Sequence, residues 1–303
     1  MGLAKILEKG KGTSSLRKII ESIIKQSNDK PPLNPSDPNS RISISAIASL
    51  CPREEVICSR MAISRVQVVD AGLGMAFKTG SALHEATQSQ ILSESPCFLG
   101  IWKCTDCGRP HGSQDPEISR SHFVPCPKEC SNPECSSNDP QTRRSAWEKK
   151  ATFRYKEIRI EDKDLRISGR MDGILSLPGL PGFGVFELKS ASQNSAWKVR
   201  NVPQAEHVIQ CQLYMMLTGF RWAKILYWNK AGTAMDTFIE HTVEREEITF
   251  LELRSQIMSI WKGIRENTLP ERICANEGCD RAKSCAVRSN CFKFTNLVPD
   301  GGL

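Results

Sequence analysis

The stretch SGRMDGILSLPGLPGFGVFELKS, Ser168 to Ser190, sets the tightest limit on how this chain can fold. Two apolar runs flank a loop of prolines and glycines, a pattern that predicts two adjacent strands. Yet Asp172 interrupts the first run, and Glu187 and Lys189 interrupt the second. Residues two apart in a strand share a face, so Glu187 and Lys189 point one way while Phe186 and Leu188 point into the core. If the hairpin pairs in register, Asp172 comes to lie near Glu187. Two close carboxylates resist ionising together unless a cation lies between them, and oxygen ligands suit Mg2+ or Mn2+. A lysine beside such an ion can orient or deprotonate a water, or stabilise charge developing on a phosphate. Taken alone, the same residues also fit a solvated strand edge with a surface ion pair.

The rest of the chain frames this hairpin. The runs ATFRYKEIRIEDKDLRISGRMDGILSL and GFGVFELKS read as consecutive strands. VPQAEHVIQCQLYMMLTG reads as a helix, with Pro203 suited to its first turn and Gly219 to its end. RWAKILYWNK and MDTFIEHTVE add two strands, and REEITFLELRSQIMSIWKGIREN is a long amphipathic helix. The order predicts a mixed α/β fold with a central sheet flanked by helices. Leu16, Ile19, Ile20, Ile23 and Ile24 predict an amphipathic helix over 14–26, followed by a linker rich in Pro, Asn and Ser. The segments are then 1–40, that helix and its linker; 41–96, a helical part; 97–140, a Cys-rich insertion; 141–270, the α/β core; and 271–303, a second Cys cluster and tail.

Composition excludes several alternatives. At 303 residues with 39% hydrophobic content, the chain can bury a sizeable core. No run approaches the roughly 18 apolar residues of a membrane span. The first residues lack a signal sequence, which predicts a cytoplasmic location and no membrane partner. A formal charge of +7 leans toward polyanionic partners. GKGTSS is too short to be a phosphate-binding loop, so no ATP motor is expected.

The 13 cysteines fall largely in two clusters, which favours metal sites over disulfides. WKCTDCGRPHG followed by FVPCPKECSNPEC opens with a C-x2-C knuckle, and paired thiolates about 20 residues apart fit a tetrahedral zinc ribbon. Cys104, Cys107, Cys130 and Cys135 are the expected Zn2+ ligands, with Cys126 and His111 as alternatives. Such a ribbon could grip a nucleic acid or only hold an insertion. Cys58, Cys97 and Cys211 are expected to be ordinary packed residues.

Taken in order, several motifs resemble the PD-(D/E)XK nuclease superfamily, in its RecB-like branch, which includes CRISPR-associated and phage iron–sulfur exonucleases. GRMDGIL followed by FELKS looks like the D…ExK core, GSALHEA like the Gly-x-x-Leu-His motif, and VPQAEHVIQCQLY like the Q-x-x-x-Y motif. YKEIRI resembles the acidic strand before the metal Asp. Together these cover about residues 41–295. The resemblance implies a restriction-endonuclease-like sheet and a Mg2+- or Mn2+-dependent DNA exonuclease, active on single-stranded DNA or DNA ends in recombination, repair or replication. Catalysis would fall to Asp172, Glu187 and Lys189, and metal binding to His84, Asp172, Glu187 and the Leu188 carbonyl. Gln210, Tyr214 and Glu157 would bind substrate. It further implies a [4Fe–4S] staple on Cys51, Cys274, Cys285 and Cys291, with Cys279 as an alternative; the same thiolates could instead hold zinc. Any unwinding would need a helicase or another recombination or replication partner, in the host cytoplasm for a phage-encoded chain. Alternatives are a structure-specific DNA endonuclease, or a non-catalytic nucleic-acid-binding protein with a nuclease fold.

Overall fold

The computed structural model describes residues 33–34, 36–37, 39–48, 51–63, 71–112, 123–135, 153–233 and 237–297. The helix expected over 14–26 lies outside them. The chain divides into two compact units: Met1–Asp37, Arg53–Thr79 and Ile260–Leu303 form one, and Pro38–Pro52 with Gly80–Ser259 form the other. These limits differ from the five consecutive segments expected from composition.

The second unit is a mixed α/β body built on three sheets. Its largest sheet has the order β11-β10-β9-β8-β2: Phe238–Glu244, Trp222–Asn229, Gly184–Ala191, Gly173–Leu175 and Phe98–Leu99. Strands β9 and β10 run parallel, and the other neighbours are antiparallel. A three-stranded sheet joins β1 (Ile42–Ser43), β7 (Ile167–Met171) and β6 (Ile158–Asp162). Another joins β4 (Pro110–His111), β3 (Ile101–Cys104) and β5 (Phe153–Lys156). The single central sheet read from the strand pattern is thus divided in three. Within the Cys-rich stretch, β3 pairs with β5, and Phe98 and Trp102 are completely buried.

Alternation along β9 explains its role. Its back face sets Phe186 and Leu188 among Phe98, Trp102, Tyr155 and Trp222 in one apolar cluster. Phe98 packs edge-on against Phe186 at 5.7 Å between ring centroids. Its front face carries Glu187 and Lys189.

Helices α1 (Ile44–Ala48), α2 (Pro52–Arg60) and α3 (Ala71–Ala86) lie between β1 and β2 in the chain. Helix α4 (Gln193–Val199) follows β9 and is capped by the Ser192 hydroxyl, which accepts the Ser195 N–H. Helix α5 (Ala205–Thr218) starts after Pro203, so the proline sits just outside its first turn. It ends where Gly219 takes φ 72°, a left-handed conformation that costs glycine nothing. Helix α6 (Glu247–Glu266) buries the stripe Phe250, Leu253, Ile257, Ile260, Trp261 and Ile264.

In the first unit, α7 (Asp280–Ser284) and α8 (Arg288–Lys293) carry the C-terminal cysteines. Buried Arg53 anchors this region by donating to the carbonyls of Pro270, Phe294 and Thr295 at 2.7, 2.6 and 3.0 Å. Ile57 and Cys58 of α2 pack with Val287, Cys291 and Phe294.

The junction of β8 with the apolar cluster is tight. A Cβ on Gly173 would lie 2.2 Å from Cε2 of the Phe98 ring. Gly173→Ala is therefore expected to destabilise the protein by about 3 kcal/mol, as overpacked cores do. Urea unfolding of wild type and variant checks this, and equal midpoints would contradict the packing described.

Candidate active site

Asp172 is the single residue between β7 and β8, where the chain leaves one sheet for another. At that corner its side chain replaces a ladder partner: Oδ2 accepts the Leu188 N–H at 2.8 Å. The Asp172 carbonyl accepts Gln88 Nε2, also at 2.8 Å. Gln88 lies in a π-helical turn, Thr87–Ile91, that continues α3. Such turns are rare and frequent at functional sites. One turn earlier on α3, His84 places Nδ1 3.2 Å from Asp172 Oδ1.

Glu157 has the same origin as Asp172. It is the single residue between β5 and β6, which belong to different sheets, and pairing of Ile158 with Met171 sets it beside Asp172. Ligand atoms of His84, Glu157 and Asp172 lie within 4.8 Å of one another. Glu157 was expected among the substrate contacts; the structure groups it with His84 and Asp172 instead. A sequence signal for this exists. Phe153 and Tyr155 are buried on one phase and Ile158 and Ile160 on the other, so the two-residue alternation slips at Glu157.

Glu187 is 1% exposed and faces the same space from β9. The β8–β9 register pairs Gly173 with Phe186, which sets Asp172 opposite Glu187. Glu187 Oε1 accepts from Lys189 Nζ, and from Gln210 Nε2 at 2.8 Å. Gln210 Oε1 accepts from Lys189 Nζ at 3.2 Å. Gln210 Nε2 also donates to the Tyr214 hydroxyl at 3.3 Å, and that hydroxyl donates to the Arg170 carbonyl at 2.5 Å. Gln210 and Tyr214, expected to hold DNA, are thus both buried, with these polar atoms turned to the site's own residues. Sequence reasoning missed Gln88 altogether, since nothing local marks a π-turn glutamine as a backbone ligand.

Burial dominates the protonation of this cluster. It pushes Glu187 up to about 7, with Lys189 opposing and Asp172 adding to the rise. Burial disfavours charged His84, but the hydrogen bond and charge of Asp172 outweigh it, and its pKa rises. Lys189 follows the same logic: burial lowers it, Glu187 and Asp172 raise it, and the net shift is upward, which keeps it an ammonium. His207, on the other hand, is held down to about 4 by burial and Lys189, and its neutral Nδ1 meets the Tyr227 hydroxyl at 2.8 Å.

The side chains fit a divalent cation. Glu187 Oε2 is buried with no hydrogen-bond partner, which is costly unless something cationic meets it. His84, Glu157 and Asp172 supply one nitrogen and two carboxylates beside it. Glu187 is not in that close group of three, and Leu188 lies between Glu187 and Lys189 with its N–H on Asp172.

A second ligand cluster lies on the back of β9. Cys104, Cys107, Cys130 and Cys135 gather with their sulfurs within 4.8 Å of one another. Cys104 and Cys135 are 3.6 Å apart and Cys107 and Cys130 3.5 Å. A tetrahedron with Zn–S bonds of about 2.3 Å has edges of about 3.8 Å, close to both. Burial and the three neighbouring thiols push Cys130 up to about 12, so without a cation that thiol stays protonated. Cys126 and His111 stand outside the four.

The C-terminal cysteines are arranged differently. Cys279 caps α7, its sulfur accepting the Ala282 N–H, and its pKa is lowered by that bond and by Cys274 among others. Cys285 and Cys291 pack in the apolar cluster that also holds the buried Cys58. Cys51 is buried and belongs to the other unit. Among the described residues, no three of Cys274, Cys279, Cys285 and Cys291 come within 4.8 Å of one another.

The chain matches no protein-family profile and no curated protein. Among solved structures, the alkaline exonuclease LHK-Exo from Laribacter hongkongensis is similar over 75% of this chain and 88% of its own, at 12% identity and TM-score 0.42. Its complex with dAMP gives the same coverage and identity, with TM-score 0.43. A phage-related exonuclease from Haemophilus somnus 129PT is similar over 36% of this chain and 58% of its own, at 13% identity and TM-score 0.27. At such distances the chemistry has to be read from the side chains.

The raised values of Glu187 and His84 set a pH dependence for the metal-free protein. Both groups bind protons more tightly when folded, so their contribution is complete below their ordinary values and is lost as pH rises through the folded ones. Stability in EDTA should fall between pH 5 and pH 8, and Glu187→Gln should flatten that fall by several degrees of Tm. Thermal melts at both pH values check this; parallel slopes would contradict it.

Proposed function

We propose that the protein is a metal-dependent nuclease of the PD-(D/E)XK type that hydrolyses phosphodiester bonds in DNA. The observation that carries this reading is Lys189, held between Glu187 and Gln210 with an unpartnered Glu187 oxygen beside the His84–Asp172 pair. His84, Glu157 and Asp172, with Glu187 Oε2 and the Leu188 carbonyl as further donors, would hold Mg2+ or Mn2+. A bound cation there would polarise a phosphate oxygen and acidify a coordinated water. Lys189, kept charged by Glu187 and Asp172, would place a fixed positive charge where negative charge develops on the phosphate. Gln210 and Tyr214 hold that ammonium in place. The imidazole in the donor set tilts the preference toward Mn2+ over Mg2+. The formal charge of +7 supports a polyanionic substrate.

Digestion of end-labelled single-stranded DNA tests this. Wild type should degrade it at lower Mn2+ than Mg2+ concentrations and not in EDTA. Lys189→Ala and Glu187→Ala should each lose at least 100-fold in rate, on the order of one transition-state charge contact. Variants as fast as wild type would sink the assignment. A circular single strand separates exonuclease, which leaves it whole, from a structure-specific endonuclease. DNA binding without any metal-dependent cleavage would support the non-catalytic alternative.

The Cys104, Cys107, Cys130 and Cys135 cluster is proposed to hold one Zn2+. The C-terminal cysteines with Cys51 remain the proposed ligands of a [4Fe–4S] cluster, whose larger body spaces thiolates wider than a single ion does. Metal analysis should find zinc lost in Cys130→Ser and kept in Cys126→Ser, with a lowered Tm only in the former. Zinc retained by Cys130→Ser would overturn the ligand set.

A further inference from the structure

Beside the catalytic strand lies a feature that the cleavage chemistry does not use. Helix α4 begins two residues after β9, and with the turn following β10 it borders an open cavity of about 140 Å³. Trp197 lines this cavity and is 71% exposed. The Arg200 guanidinium lies over its ring, 5.4 Å from the centroid. Gln193 and Asn229 contribute amides, and among the described residues none that lines the cavity is acidic. Ser192 caps the helix, and the Asn229 carboxamide oxygen accepts the Ala231 N–H, so both walls are locally braced.

Sheet register ties the cavity to the active site. Tyr227 on β10 is the partner of Lys189 on β9 and of Ile239 on β11. Side chains directly opposite share a face, so Lys189, Tyr227 and Ile239 form one row on the front of the sheet. Ile239 lines the cavity, two strand spacings or about 10 Å from the Lys189 position. A cavity at the carboxyl ends of a parallel strand pair is also where open α/β sheets place ligands.

A single exposed apolar side chain is ordinary. A tryptophan with a cation on its ring, at the rim of an amide-lined cavity in line with a catalytic lysine, is a different object. Its chemistry is that of a platform for one heterocyclic base with a cation for the adjoining phosphate. In a duplex the base faces are already stacked on one another, so such a platform selects unpaired nucleotides.

We propose that Trp197 and Arg200 form a base-stacking subsite that selects single-stranded DNA, holding an unpaired base a few nucleotides from the bond cut. The proposal rests on the nuclease reading above and adds the strand preference to it.

The test is binding of the full chain, in EDTA, to a fluorescein-labelled 12-mer of thymidylate and to a blunt duplex of equal length. Trp197→Ala should weaken the single strand about 5- to 150-fold, the usual range for a lost base–aromatic stack, and the duplex less than twofold. Trp197→Phe should keep most of the affinity. Addition of the 12-mer should quench tryptophan emission in wild type but not in Trp197→Phe. Since Trp197 is exposed, melts should show both variants folded as wild type. Unchanged single-strand binding in Trp197→Ala, or equal loss on both DNAs, would overturn the subsite. Absence of cleavage by wild type with Mn2+ would instead overturn the nuclease reading, and leaves the binding comparison intact.

Discussion

Where the chain turns from one sheet into the next, the Asp172 carboxylate takes the Leu188 N–H that no neighbouring strand supplies a partner for. Much of the site follows from that bond. It holds β9 at the corner, so that Glu187 and Lys189 meet Asp172 from the opposite strand. Gln88 secures the same corner through the Asp172 carbonyl, and His84 takes the free carboxylate oxygen. Glu157 arrives by a second sheet change directly alongside. Sheet corners leave backbone groups unpaired, and here acids occupy the corner positions themselves.

The price of this arrangement is electrostatic. Three carboxylates, one histidine and one lysine crowd together, and burial works against charge on each of Glu157, Glu187, His84 and Lys189. Protons partly relieve the crowding in the bare protein, and a divalent ion would relieve it more completely. Buried polar networks with one unmet member are expensive to keep, which points to use rather than to stability. On the other side of β9, the apolar cluster ends in four thiols at tetrahedral spacing. One strand therefore has a polar site in front and a sulfur cluster behind, with aromatic rings packed between them.

The hairpin, α5 and α6 were legible in the sequence because their periods are unbroken and their ends carry Gly219 or a proline. Asp172, Glu187 and Lys189 were legible for the opposite reason: they violate an apolar pattern. The part played by Glu157 was missed because its cue is a slip in alternation, easily read as one continuous strand. Gln210 and Tyr214 came from a motif, which names the residues without showing that both are buried, Gln210 hydrogen-bonded to Glu187 and Tyr214 to Gln210. Cys104, Cys107, Cys130 and Cys135 were chosen from the spacing with Cys126 kept as an alternative, and the fold gathers those four sulfurs. The division into three sheets was invisible because it depends on single residues at which pairing partners change.

Strict alternation along β9 has an evolutionary corollary. Lengthening or shortening this strand by one residue would exchange its two faces, driving Glu187 and Lys189 into the aromatic rings and presenting Phe186 and Leu188 to the acids. No local adjustment repairs such an inversion. Insertions and deletions should therefore be purged from 184–191 and tolerated in the Pro/Gly loop before it, where the left-handed Gly179 and Gly182 turn the chain. Descendants of this chain would drift in loop length while the strand keeps its frame, much as a reading frame survives around a silent spacer.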